Sequence, residues 1–176
     1  MRHSVISPDG TTIAFTYKGD IYTVPVAGGR AMQITTNPAY DTAPVWSPDS
    51  KRIAFASDRM GSLDVYIVAK DGGEPRRLTT HSGSETPLAF TDAGHVLFSA
   101  GIMPSAEAVV FPSNGQFNQV YRVSVEGGRP TMISSMPMEC ISINKEGAML
   151  YQDKKGYEDY WRKHHVSPIA RDIWMY

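Results

Sequence analysis

Residues 43–80 read APVWSPDSKRIAFASDRMGSLDVYIVAKDGGEPRRLTT, and the punctuation of this stretch divides it into four short strands. Ala43 to Ser47 is apolar and meets Pro48-Asp49-Ser50. There proline presets φ and aspartate bonds its own backbone, so the chain turns back into Arg52 to Ser57 as a hairpin. In that second strand Ile53 and Phe55 point one way and Ala54 and Ala56 the other, because side chains alternate across a strand. Both faces are apolar, one large and one small, which predicts a strand sandwiched between layers. Asp64 to Ala69 has the same double face, Val65 and Ile67 against Tyr66 and Val68. It ends at Asp71-Gly72-Gly73, where glycine permits the positive φ of a tight hairpin. The fourth segment, Glu74 to Thr80, sets Pro75, Arg76 and Arg77 around Leu78, the composition of an exposed edge strand.

The same unit occurs along the whole chain. Ser7-Pro8-Asp9-Gly10 precedes Ile13-Ala14-Phe15 as Ser47-Pro48-Asp49-Ser50 precedes Ile53-Ala54-Phe55. Asp20-Ile21-Tyr22 answers Asp64-Val65-Tyr66, and Gln33-Ile34-Thr35-Thr36 answers Arg77-Leu78-Thr79-Thr80. A third copy runs from Phe90-Thr91-Asp92-Ala93-Gly94 through Val96-Leu97-Phe98 and Gln119-Val120-Tyr121 to Met132-Ile133-Ser134. A fourth runs from Ile143-Asn144-Lys145-Glu146-Gly147 through Met149-Leu150-Tyr151 to Asp172-Ile173-Trp174. Four antiparallel strands in a period of about 40 to 45 residues is the signature of a β-propeller blade. The expected fold class is therefore all-β, a β-propeller with blades near residues 2–36, 41–80, 86–135 and 138–176, the last of them three-stranded. No helical pattern of useful length separates the strands, which excludes a parallel α/β design.

Bulk properties narrow the function. The 176 residues are 41% hydrophobic and 20% charged, ordinary for a chain that buries a core. Seventeen Lys and Arg against 18 Asp and Glu leave a net charge of −1, so no global field steers the chain to nucleic acid or an anionic membrane. No apolar run approaches the length of a membrane span, so membrane insertion is not expected. The single cysteine, Cys140, sits among strand residues and reads as a small buried hydrophobe rather than a reactive thiol.

The SPDG turn followed by IAF, the D-I/V-Y strand and the GG-x-P/R-x-x-L/I-T edge resemble the propeller repeats of the TolB and tricorn-protease group. Asp153 to Asp159, Trp161 to His165 and Arg171 to Trp174 are similar to the propeller of bacterial tricorn-like serine peptidases. The resemblance implies a gating or substrate-guiding propeller beside a separate serine-peptidase domain and a PDZ module, and it suggests a periplasmic location that the sequence itself does not encode. A stand-alone TolB-like interaction protein of the bacterial envelope is the alternative. Ser50 departs from the usual turn glycine, and the final blade lacks its outer strand.

The copies differ most between their second and third strands. That connection is Lys18-Gly19 in the first copy, Asp58 to Leu63 in the second, and swells to residues 101–118 and 153–170 in the third and fourth. Inserted loops on one face of a repeat scaffold are the usual place for recognition. The candidate contact residues are Phe111, Phe117, Tyr157, Tyr160 and Trp161, since aromatics give large contact area at low entropic cost. Catalytic, cofactor and metal residues are expected to be absent. His164-His165 match no zinc spacing, and there is no G-x-S-x-G elbow, H-E-x-x-H or phosphate cradle. The expected partner is protein or peptide. An open stack of blades exposes apolar surface, so a homodimer or the remainder of a longer chain is expected to cover Val5, Ile6, Ile173 and Trp174.

Overall fold

A computed structural model describes residues 1–101, 118–135, 138–144, 147–153 and 173–176, and every element there is a strand. The first sheet holds β1 (Arg2–Ile6), β2 (Thr12–Tyr17), β3 (Asp20–Pro25) and β4 (Met32–Gln33) in that order. The second holds β5 (Asp41–Trp46), β6 (Arg52–Ser57), β7 (Asp64–Ala69) and β8 (Arg76–Arg77). The third holds β9 (Glu85–Asp92), β10 (His95–Ala100), β11 (Gln119–Ser124) and β12 (Thr131–Ser134). The fourth has three strands, β13 (Met138–Ile143), β14 (Met149–Asp153) and β15 (Ile173–Met175). All pairings are antiparallel between sequence neighbours, as in a meander, and each first strand packs against the sheet before it. The fold is a β-propeller.

The SPD turn works as its chemistry dictates. Ser7 Oγ donates to Asp9 Oδ1 at 2.6 Å, and the same oxygen accepts from the Thr11 amide at 2.9 Å. Ser7 Oγ in turn accepts from the Thr12 amide at 3.0 Å, closing a knot that sets the β1–β2 hairpin. The second blade repeats these bonds with Ser47, Asp49, Lys51 and Arg52. Ser50 stands where the first copy has Gly10 and takes φ of 57°, a left-handed conformation that costs a residue with a Cβ about 1 to 2 kcal/mol. Its hydroxyl offsets that cost by accepting from the Asp9 amide of the first blade at 3.1 Å. At the β7–β8 hairpin, Gly72 and Gly73 adopt φ of 91° and 115°, the freedom that the paired glycines were placed to supply.

The middle strands are apolar on both faces because each face meets a different blade. Ile53, Phe55, Tyr66 and Val68 pack with Trp46 against Ala14, Ile21 and Ile34 of the first blade. Ala54, Val65, Ile67 and Leu78 pack against Phe90, Val96, Phe98, Tyr121 and Val123 of the third. Leu97 and Val120 then meet Met138, Met149 and Tyr151 of the fourth. Small alanines on one surface receive large side chains from the next, and each large residue so buried contributes about 1.5 to 3 kcal/mol. A second register repeats three times: Phe15 opposite Tyr22, Phe55 opposite Tyr66 and Phe98 opposite Tyr121 are cross-strand partners, with stacked rings 5.8, 5.9 and 5.6 Å apart.

The first strand of each blade carries an irregularity that the sequence pattern did not announce. Register slips between Arg2 and Val5, Thr42 and Val45, and Glu139 and Ser142. Inside each bulge one residue turns left-handed: His3 at φ 50°, Ala43 at 50° and Cys140 at 52°. Counting back from the turns, Pro87 occupies this position in β9. Its ring fixes φ near −65°, so β9 cannot turn left-handed there; its register still slips opposite Leu97 and Phe98, the counterparts of Ala14 and Phe15, and slips again between His95 and Val96. The bulge also corrects the expectation for Cys140. Its side chain leaves the alternation that would have carried it inward, and the cysteine is exposed. At the ends, Ile6, Ile173 and Trp174 are exposed and Val5 is half-buried.

Candidate functional site

The first strands of the four blades lie side by side and enclose a groove of about 990 Å³. Val5 and Ile6 enter it from β1, Val45 and Trp46 from β5, Leu88 to Asp92 from β9, and Ile141 to Asn144 from the end of β13. Pro8 and Pro48 of the SPD turns form part of the wall, so the turns that set the hairpins also shape the site. The floor is apolar. Trp46 is largely buried and bridges two blades, its Nε1–H donating to the Val5 carbonyl at 3.2 Å. Ile6 remains 57% exposed, which leaves apolar surface facing the groove.

The polar end is built by Asp92 and Asn144. Burial opposes the charge on Asp92, but hydrogen bonds from His95 Nδ1 at 3.0 Å and from the Gly94 amide at 2.6 Å outweigh it and hold the carboxyl below its ordinary pKa. Asp92 is thus an anion across the neutral range. Asn144 Oδ1 accepts from the Ala148 amide at 2.8 Å, which fixes its side chain. An apolar trough with an anionic end suits an extended chain that offers apolar side chains and one cationic group.

Sequence reasoning pointed elsewhere. Phe111, Phe117, Tyr157, Tyr160 and Trp161 all lie outside the described residues, as do His164 and His165. The groove residues were not singled out, although the sequence carried a signal. Aligned on their turns, the copies place Ile6, Trp46, Phe90 and Ile143 at one position, a large apolar residue just ahead of each turn. Among the described residues no group of three or more His, Cys, Asp or Glu is arranged to hold a metal ion.

The family model for the tricorn protease N-terminal beta propeller domain matches residues 1–176. Tricorn protease homolog 1 of Streptomyces coelicolor is 25% identical over 169 residues, 96% of this chain and 15% of that protein. The Tol-Pal system protein TolB of Bordetella pertussis is 44% identical over 55 residues, 31% of this chain and 13% of that protein. The chain thus spans less than a sixth of the length of either relative. The crystal structure of TolB from Acinetobacter baumannii superposes with a TM-score of 0.65 at 18% identity, covering 98% of this chain and 39% of that one, a likeness of fold. The match along the full 176 residues, on a structure built of repeated antiparallel blades, means that the chain belongs to the family of tricorn protease N-terminal beta propeller domains.

Proposed function

We propose that this propeller is a non-catalytic recognition module that holds an extended peptide along its inner groove and guides it to a peptidase domain. The observation that carries the reading is the groove itself, with Ile6 and Trp46 at its floor and ionised Asp92 at its end. The family supports the peptidase as the destination, since its model is a domain of the tricorn protease. Fluorescence anisotropy with labelled peptides tests it. Extended peptides with alternating apolar residues and one lysine are expected to bind, and Ile6→Asp is expected to weaken binding by about tenfold, or about 1.4 kcal/mol. Ile6 is already exposed, so this change leaves the fold intact. Peptides that never bind, or that bind Ile6→Asp as well as the native chain, would refute the reading. Turnover of fluorogenic peptides that disappears on replacing Ser82 or Ser99 would replace it with an enzyme.

The 44% identity to TolB over 55 residues favours a second reading, an interaction module of the cell envelope without a peptidase. In either case the location we propose is the periplasm, and protease accessibility in spheroplasts checks it. The two readings part on copurification: peptidase activity in the complex supports the first, envelope proteins without activity the second. The exposed β15 edge is proposed to pair with a second copy or with further blades of a longer polypeptide, which light scattering of the chain distinguishes.

A further inference from the structure

The seams between blades carry buried acids in a repeated arrangement. Asp41 opens β5 and Glu85 opens β9 at equivalent positions, and their amides donate to the Gly19 and Leu63 carbonyls of the preceding blades, each at 2.7 Å. Each acid stands near another acid that opens a third strand, Asp20 at the first seam and Asp64 at the second. Their partners differ. At the first seam Asp41 is paired with Arg59 at 2.8 Å, and Asp20 accepts from Gln33 Nε2 at 3.0 Å. At the second seam the arginine is on the other acid, Arg77 lying 2.8 Å from Asp64. Glu85 is 0% exposed, and neither of its carboxylate oxygens has a hydrogen bond. Among the described residues no cation pairs with Glu85 as Arg59 pairs with Asp41. At the third seam the corresponding positions are Gln119 and Met138, and no acid pair exists.

The groups facing Glu85 are Asp64 from β7, Arg77 from β8, and Thr79 and His81 from the segment after β8, the last acting on Asp64. One guanidinium cannot neutralise two desolvated carboxylates, and the Thr79 hydroxyl, which accepts from the Val65 amide at 2.9 Å and keeps its own proton to donate, brings Glu85 no opposing charge. We propose that Glu85 is a proton latch for the seam between the second and third blades: with a proton it lets the seam stay closed, and ionised beside Asp64 it loosens it. Burial first, and Asp64 next among the opposing charges, push its pKa from 4.5 to about 7. The native state therefore holds the proton more tightly than the unfolded chain. The stabilisation is complete below pH 4.5 and is lost as pH rises to about 7, by up to about tenfold in the folding equilibrium per pH unit.

Native-state amide hydrogen exchange of the full chain tests the latch, with the Asp41 amide as internal reference for the Glu85 amide. After correction for intrinsic exchange, protection at Glu85 is expected to fall about tenfold relative to Asp41 between about pH 6 and about pH 8. In Glu85→Gln, which mimics the protonated acid, that relative fall is expected to vanish. Equal changes at both amides in the native chain, or a fall that survives in Glu85→Gln, would overturn the proposal. If the variant fails to fold, the comparison of the two amides in the native chain decides alone.

Discussion

Arg59 meets Asp41 at 2.8 Å while its guanidinium lies over the rings of Phe55 and Tyr66, 5.5 and 5.1 Å from their centroids. The arginine thus neutralises a carboxylate that is 0% exposed and caps the aromatic pair at the end of the β6–β7 hairpin. Arg59→Ala leaves that charge buried and unpaired, so we expect a loss of about 3 to 5 kcal/mol in urea unfolding. A loss below about 1 kcal/mol would mean that water or backbone reaches Asp41 and that the pair is dispensable.

Ala43 holds a left-handed φ of 50° inside the β5 bulge. Glycine takes this conformation without the Cβ clash, and relief of about 1 to 2 kcal/mol exceeds the roughly 0.5 to 1 kcal/mol of added chain entropy. Ala43→Gly is expected to raise the urea midpoint slightly. Val45→Gly, at the position that resumes regular pairing, is expected to lower it. A decrease in both would place the bulge's cost outside the backbone.

Ser50 combines a strained φ with a bond to the neighbouring blade. Ser50→Ala keeps the strain and loses the bond, so a cost of about 1 kcal/mol is expected. Ser50→Gly loses both and is expected to be nearly neutral. Equal costs for the two variants would show that the left-handed backbone stores no energy here.

Cys140 is exposed at the equivalent bulge of β13. A thiol reagent is therefore expected to modify it stoichiometrically in the native chain, without denaturant. Modification that requires unfolding would restore the buried reading of this residue.

The blade was legible because its determinants are local. Ser47, Pro48 and Asp49 make their turn from bonds a few residues apart, and Ile53 to Ala56 state the two apolar faces outright. The bulge was not legible, since His3, Ala43 and Cys140 share no chemistry; what they share is a backbone angle imposed by pairing. Pro87 at the matching position was the one visible trace. The groove and the seam acids were hidden for a different reason. Ile6 and Asn144 line one trough, and Asp64 stands near Glu85, only after blades distant in sequence have stacked.

The two kinds of carboxylate predict an unusual pH profile of stability. Hydrogen bonds from the Ser7 hydroxyl, then from the amide and hydroxyl of Thr11, lower the pKa of Asp9 from 3.8 to about 2. The Ser47 hydroxyl, followed by the Lys51 amide, lowers that of Asp49 despite some desolvation. These acids prefer the ionised form when folded, so their stabilisation is present above pH 3.8 and is lost as pH falls to about 2. Glu85 and Asp64 act in the opposite sense. Burial raises both, and their stabilisation is lost as pH rises from 4.5 toward about 7 for Glu85. The limbs meet at about pH 4 to 5, below the range in which most proteins are most stable. Calorimetry from about pH 2.5 to about pH 8.5 is expected to give the highest Tm there, with Asp9→Asn flattening the acid limb and Glu85→Gln the neutral one. A Tm that climbs steadily to neutral pH would show that the seam acids are reached by water and titrate as ordinary carboxylates.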